Sequence, residues 1–515
     1  MCGFACGLTT TVLSAVLAVI IGVVGYAVLP GVIDNLIVAN VVLIDDTIQL
    51  ERFERVPFPL NFTVRVWNIT NAEQVLNGAV PVMNEVGPFI YRLRVQRVIE
   101  NVEEDELTYR LLYHFEFDDV ASHPNRDDDT VTIVNVAYHA ILQEAESTFP
   151  GLMSVINMGM NGIFGSLNSP IVTVRARDLL FDGIQICNNP GIVAAVACSQ
   201  IRSLSQDAQN IAELEDGSLI FSLVGYRNAT PGSEFVVYRG LGEPRDMGRV
   251  LSFNNLPHLL YWRDGEESRG SSVCNMINGT DSNIFGPFVD KKQSLYALNT
   301  DICRSVELRY QHDLEFEGIP VVRYSANEWF LSNDEGCFCI NHTRGINRDN
   351  GCLLRGAMEM YTCVGANVVL TYPHFLYADA TYTNGILGTR PVEHDHRIYV
   401  DVEPQSGTAV RAAKRAQFNV FMRPVSGIPA TQALRTTLTP IMWIEEGMSL
   451  PEEYVNELKS KMITPLRLVE ILIPTLLAVS AAVLILGVII LVRARTKSVS
   501  PVTSTPISTP APDKY

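Results

Sequence analysis

The chain has 515 residues, 47% of them hydrophobic and 18% charged, with a formal net charge of −17. That composition excludes wholesale disorder, and the length exceeds a simple single core and allows two or three domains. The acidic balance excludes non-specific nucleic-acid binding, which needs clustered cations against phosphates.

Residues 1–7 contain Cys2 and Cys6 and no basic residue. Leu8 to Leu29 is an uncharged run of 22 residues, long enough to cross the roughly 30 Å hydrocarbon core of a bilayer as a helix. Without the basic start and short apolar region of a cleaved signal peptide, it reads as an uncleaved anchor with residues 1–7 in the cytosol. Cys2 and Cys6 beside it are candidate palmitoylation sites.

Residues 30–470 form the body. Its sequons at Asn61, Asn68, Asn228, Asn278 and Asn341, together with eight of the ten cysteines, place it in an oxidising lumenal or extracellular space. Phe62, Val64 and Val66 alternate with polar residues, as do Phe89, Tyr91, Leu93 and Val95 with Arg92, Arg94 and Gln96. A period of two predicts strands with one apolar face, and Leu107 to Phe117 after Glu103-Glu104-Asp105 completes a hairpin.

Then the pattern changes. Asp127-Asp128-Asp129-Thr130 predicts a helix start, with Val131, Val134, Tyr138, Ile141, Leu142 and Ala145 at helical spacing and Pro150-Gly151 as the stop. Leu152 to Phe164 follows without a charge, either as buried core or as an apolar cap exposed to ligands. A helical excursion over 188–216 is held at its start by a local disulfide between Cys187 and Cys198. Short strands return from Leu219, clearest at Ile398, Val400 and Val402.

A second uncharged run, Ile471 to Val492, is followed by Arg493, Arg495 and Lys497, which sets residues 493–515 in the cytosol as a Ser/Thr/Pro tail without packed structure.

Candidate chemistry is sparse. Cys274, Cys303, Cys337, Cys339, Cys352 and Cys363 lack the paired C-x-x-C spacing of zinc sites and read as three disulfides, with fifteen connectivities open. His394-Asp395-His396 would put two imidazoles on one face of a strand, but no third metal ligand can be named. No nucleophile elbow, metalloprotease, P-loop or dinucleotide motif occurs, so neither catalytic residues nor a cofactor nor a resident metal is expected.

Several longer stretches carry a resemblance: Glu73 to Gly78, Glu85 to Tyr91, Cys274 to Asp281, Asp301 to Ser305, Gly318 to Val321, Pro373 to Ala378, His396 to Pro404 and Pro440 to Trp443. Through them the chain resembles the class B scavenger receptors, the family of fatty acid translocase, the high-density lipoprotein receptor and lysosomal integral membrane proteins. The resemblance implies an α+β membrane protein with two transmembrane helices. Between them would lie an antiparallel β-rich, barrel-like ectodomain with an apical helical region (about 127–216), a disulfide block (274–363) and an internal apolar tunnel. It implies the pairs Cys274–Cys337, Cys303–Cys363 and Cys339–Cys352, and it matches Cys2 and Cys6 to a palmitoylated pair. The implied partners are lipids or lipoproteins, and the implied function is transfer of lipid to the membrane without an enzymatic step. Ile141 to Pro170 departs from the pattern: it has no lysine, only Glu144 and Glu146, which shifts weight to neutral lipid or to a protein bound at the apex, as in an adhesion or sorting receptor. Cys187 to Cys198 reads as an insertion. The tail has no acidic dileucine signal, which favours plasma membrane over endolysosome.

Overall fold

The computed structural model describes residues 3–204, 210–262, 273–334 and 336–498. The chain divides into a body, Asn40–Glu452, and a helical unit built from the two ends.

In the body, the strands in chain order are β1 (Leu60–Ile69), β2 (Met83–Glu103), β3 (Glu106–Phe117), β4 (Thr130–Val134), β5 (Ile171–Arg175), β6 (Ile184–Ile186), β7 (Ile211–Glu213), β8 (Leu219–Phe221) and β9 (Glu234–Tyr238). They continue as β10 (Val250–Phe253), β11 (Leu295–Asn299), β12 (Arg304–Phe316), β13 (Ile319–Ala326), β14 (Met358–Glu359), β15 (Val368–Thr371), β16 (Ile398–Val402), β17 (Ala409–Met422) and β18 (Thr437–Ser449). One antiparallel sheet runs β10-β9-β3-β2-β1-β18-β17-β16-β13-β12-β11, with β15 paired to β17 and β14 to β15. The expected hairpin is its longest arm: β2 pairs with β3 from Tyr91↔Phe117 to Glu103↔Glu106, and the period-two residues Tyr91, Leu93 and Val95 are buried.

A non-strand segment closes this sheet. The Val250 N–H donates to the Gly279 carbonyl (2.8 Å), the Thr280 N–H to Tyr296 O (3.3 Å), and the Leu298 N–H to Thr280 O (2.7 Å). Gly279-Thr280 is therefore a stave between the two edge strands β10 and β11, covering polar backbone that an open edge would expose. From the same segment, Asp281 reaches Arg97 on β2 (Nε to Oδ2, 2.8 Å) and receives the Tyr109 hydroxyl of β3 (2.8 Å). Both Arg97 and Asp281 are buried. Burial raises the Asp281 pKa, but the Arg97 charge and the hydrogen bonds from Tyr109 and Asn283 more than offset this and hold the carboxyl below its ordinary value.

Three helices cap the body: α1 (Val136–Thr148), α2 (Met153–Phe164) and α3 (Ile192–Leu204). The start of α1 differs from the sequence expectation. Val131 and Val134 lie in β4, paired with β5 from Thr130↔Arg175 to Val134↔Ile171, and the N-cap is Asn135, whose carboxamide accepts from the Tyr138 N–H. Two β-branched runs, TVTIV and IVTVR, favour pairing over a longer helix. The excursion after Cys187 is likewise not helical throughout: Ile192–Leu204 is a helix, whereas Ile211–Glu213 pairs as a strand with Leu219–Phe221.

Disulfides join Cys187–Cys198, Cys274–Cys337, Cys303–Cys363 and Cys339–Cys352, the last three being the pairs that the resemblance implies. Cys303–Cys363 and Cys274–Cys337 close chain separations of 60 and 63 residues and limit the unfolded chain most.

The second unit contains two helices long and apolar enough to cross a membrane, Phe4–Ala39 and Glu452–Thr496. Both exceed the 22-residue runs read from hydropathy, because helical backbone continues into polar flanks such as Asp34-Asn35 and Arg467. They pack through small residues: Gly7 and Ser14 on the N-terminal helix and Ser480 and Gly487 on the C-terminal one are buried. A Cβ added at Gly7 would press on Leu491, and one at Gly487 on Thr11. Small residues seven apart on each helix let the two backbones approach, the dominant mode of association where lipid removes the hydrophobic drive. The Ser14 and Ser480 hydroxyls donate to carbonyls of their own helices, at Thr10 and Leu476 (2.8 Å each). Cys6 lies in the first turn of the N-terminal helix, and Cys2 lies outside the described residues.

Candidate ligand-binding region

The helical cap resolves the alternative that the sequence left open, because α2 has two apolar faces. Met153, Met160, Ile163 and Phe164 are buried, whereas Val155 and Met158 are exposed, Met158 by 66%. On α3, Ile192 is 91% and Val196 67% exposed, while Ala194, Cys198 and Ile201 are buried. The two helices meet closely because a Cβ at Gly162 would collide with the Ala194 methyl, and the Cys187–Cys198 bond fixes α3 at its middle. Large apolar side chains left exposed on two packed helices mark a candidate binding surface.

The two acids that break the uncharged stretch do not reach this face. Glu144 accepts from His342 Nε2 (3.2 Å), whose ring stacks on Tyr361 at 3.4 Å between centroids. Glu146 is ion-paired with Arg423 and lies 3.9 Å from Arg344. Both carboxylates tie α1 to the loop at 342–344 and to Arg423; α2 carries no charged residue, and the one charge on α3, Arg202, pairs with Glu213 (2.7 Å). Beneath the cap lies a cavity of about 10 Å³ lined by Ile133, Val136, Phe164, Leu179, Ile186 and Phe221. It also touches Asn135, whose amide group donates to Leu167 O (2.9 Å) and Ser169 O (3.0 Å). Its unfilled centre is on the scale of one water molecule, so it is a packing void rather than the expected tunnel.

A second region lies on the inner face of the large sheet. On β3, β17 and β18 the inward residues Tyr113, Phe115, Lys414, Phe418 and Glu446 each keep part of their surface uncovered. This face is not purely apolar, unlike the apolar tunnel that the resemblance implies: Lys414 pairs with Glu446 at 2.7 Å, and Arg227 lies 3.2 Å from Asp301. Charges survive there because each faces an opposite one.

The stretches that carry the resemblance converge on a third place, which spacing alone does not reveal. Glu85 accepts from His374 Nε2 (2.7 Å) and from the Trp443 indole (2.9 Å), with Arg65 at 3.4 Å. His374 Nδ1 accepts from the Arg390 N–H (3.0 Å), which fixes the proton on Nε2. His396 stacks on His374 at 4.2 Å and accepts from the Val392 N–H at Nδ1 (3.0 Å). Burial raises the pKa of Glu85, yet the hydrogen bonds from His374 and Trp443 and the nearby charges bring it below its ordinary value. This cluster pins the Pro373–Ala378 turn to β2 and β18.

The structure corrects the reading of His394 and His396 as strand neighbours. They lie on a helical turn, Glu393–His396, with His394 exposed and hydrogen-bonded to Asp395 (2.9 Å) while His396 is buried. Their rings do not face one point, and among the described residues no group of three potential metal ligands occurs. Asn61, Asn228 and Asn341 are exposed; Asn68 and Asn278 are half-buried.

Two buried histidines give the body an acid limit. Desolvation lowers His139, on α1, to about 4, and lowers His396 to about 4 with a contribution from His374. Their unfolded value is about 6.5, so the unfolded chain takes up more protons as pH falls below it. The stability they contribute is complete above about pH 6.5 and drains between about 6.5 and 4, by up to roughly 3 kcal/mol each. Melting temperatures at pH 7 and 4.5 should differ by several degrees, and His139→Gln should flatten the difference. An unchanged slope in H139Q would remove His139 from the account.

Comparison with known sequences agrees with the geometry. A sequence model of the CD36 family matches residues 12–491. The chain is 32% identical to sensory neuron membrane protein 2 of Drosophila melanogaster, over 90% of this chain and 93% of that protein. It is 31% identical to sensory neuron membrane protein 2 of Aedes aegypti, covering 85% and 90%. It is also 31% identical to sensory neuron membrane protein 1 of Manduca sexta, covering 90% and 87%.

Proposed function

The chain belongs to the CD36 family of class B scavenger receptors, and from that premise we propose that it is a membrane glycoprotein that captures uncharged apolar ligands on its helical cap and passes lipid through the sheet interior to the bilayer. In this reading residues 8–29 and 471–492 cross the plasma membrane, residues 1–7 and 493–515 are cytosolic, and Asn61, Asn68, Asn228, Asn278 and Asn341 carry glycans. The relatives' name, which places them in the membranes of sensory neurons, extends the proposal to a sensory cell. The observation that carries it is the uncharged apolar face of α2 and α3, with Met158, Ile192 and Val196 exposed. Each methylene of a lipid in water costs about 0.8 kcal/mol, so an apolar landing surface and a conduit lower the barrier to transfer without any covalent step.

The test is lipid extraction from the purified full-length glycoprotein followed by mass spectrometry, with uptake of labelled lipid by transfected cells. Co-purified acyl lipid is expected. Met158→Asp combined with Ile192→Asp should cut uptake at least about tenfold, since two desolvated contacts are worth more than 1.4 kcal/mol. Because both side chains are exposed, the double variant should melt like the wild type. Absence of lipid together with wild-type uptake by the double variant would end the proposal; a protein captured at the cap without lipid would favour a sorting or adhesion receptor.

A further inference from the structure

We infer that His396 is the pin of an acid-opened latch, which holds residues 388–397 against the sheet at neutral pH and frees them in an acidic compartment. The latch needs no passage of lipid and stands or falls apart from it.

Burial singles out the pin. Backbone pairing fixes the two ends of the segment: Leu387 accepts from the Met83 N–H and donates to Pro81 O, and β16 begins at Ile398. Between them every residue is exposed or half-buried except His396, which is 6% exposed. Val392 is 44% exposed, so the segment has no buried aliphatic anchor of its own. The His396 ring enters the fold by stacking on His374, with 4.2 Å between centroids and 14° between planes. Trp443 lies roughly perpendicular to it at 5.8 Å. Polar ties reinforce the stack. The Arg390 N–H donates to His374 Nδ1 (3.0 Å), and Arg415 on β17 donates to the carbonyls of His394 (3.2 Å) and Arg397 (2.8 Å).

Neither ring can take a second proton and keep its place. His374 Nδ1 accepts from Arg390 and His396 Nδ1 from Val392, so an added proton would face an N–H donor in both cases. Two stacked imidazolium rings would also repel each other. The charged groups around the pair are Glu85 on β2 with Arg65 of β1 beside it, Asp395 in the same turn, and Arg415, itself paired with Glu445 on β18. Burial and His374 oppose a charge on His396, Asp395 and Glu85 favour it, and the balance leaves the ring lowered to about 4. Once the segment swings out, the ring regains its ordinary value of about 6.5. Acid below that value favours the open form about tenfold per pH unit, which makes roughly thirtyfold at pH 5. Opening exposes one buried side chain and leaves the paired strands intact, so it precedes unfolding of the sheet.

The test is amide hydrogen exchange of the full-length protein in detergent micelles at pH 7.4, 6 and 5, read by mass spectrometry and corrected for intrinsic rates. Peptides covering 388–397 should lose protection roughly thirtyfold between pH 7.4 and 5, while those of the β2–β3 hairpin change by less than about threefold. His396→Asn places an amide oxygen where Nδ1 stood and takes up no proton. Its protection should be flat over the same range, whatever its level at pH 7.4. Should H396N not fold, exchange of the imidazole C2 hydrogens in the wild type decides, and His396 should titrate below about 6.5. Protection of 388–397 that acid leaves unchanged, or that falls in step with the hairpin, would overturn the latch. So would an unaltered pH slope in H396N or an ordinary titration of His396.

Discussion

Asp281→Ala is expected to destabilise the body by about 3–5 kcal/mol, because it strands a buried guanidinium. Arg97 is almost wholly buried (1% side-chain exposure), and Asp281 supplies both its ion pair (2.7 Å) and its Nε hydrogen bond (2.8 Å). Arg97 also donates to the Phe53 carbonyl and lies 4.3 Å from the Phe53 ring, so it is too tightly held to swing out to water. The Tyr109 hydroxyl would lose its acceptor as well. Asp281→Asn should cost less, since an amide oxygen still accepts while the charge is lost. Thermal or denaturant unfolding of the full-length protein, followed by tryptophan fluorescence, checks the ranking. A cost below about 1 kcal/mol for D281A would show that Arg97 finds another partner or water. Acid should mimic the substitution only below the ordinary carboxylate range, because the Asp281 carboxyl is depressed; this separates it from the histidine window between about 6.5 and 4.

Much of the architecture was legible because the relevant signals are local. Period-two alternation in Phe89 to Gln96 and Leu107 to Phe117 specified the hairpin, and two long uncharged runs specified the helical pair. The start of α1 was misplaced because Val131 and Val134 fit a helical stripe as well as a strand, and only the partner strand 40 residues later decides between them. Resemblance supplied the disulfide pairs, which spacing left open. Long-range convergence was not legible: nothing in the spacing of Glu85, His374, His396 and Trp443 says that they meet, or that Arg227 turns inward while Asn228 turns out. Nor does an isolated Asn-Gly-Thr-Asp reveal that its glycine and threonine close a sheet. As a sequence it reads as a glycosylation signal in a loop, and its closing role depends on two edge strands placed by the rest of the chain.

The second large effect is predicted at that same glycine. Gly279 has φ +80°, and a Cβ added there would overlap the Tyr296 carbonyl to which the Thr280 N–H donates. The overlap is with backbone in β11, so no side-chain rotation relieves it. Gly279→Ala should therefore cost roughly 2–5 kcal/mol, combining left-handed strain with displacement of the stave. Hydrogen exchange should localise the damage, with the Val250 and Leu298 amides losing protection first as their acceptors on the stave move away. Asp281 lies two residues further along the segment, and its reach to Arg97 depends on that path. Once G279A has displaced the stave, D281A has less left to remove, so the double variant should cost clearly less than the sum of the two. Additivity within about 0.5 kcal/mol would mean that backbone closure and the buried ion pair act independently. Sub-additivity would establish the Gly279–Asp281 segment as one cooperative lock that joins the sheet edges to the charged pair inside.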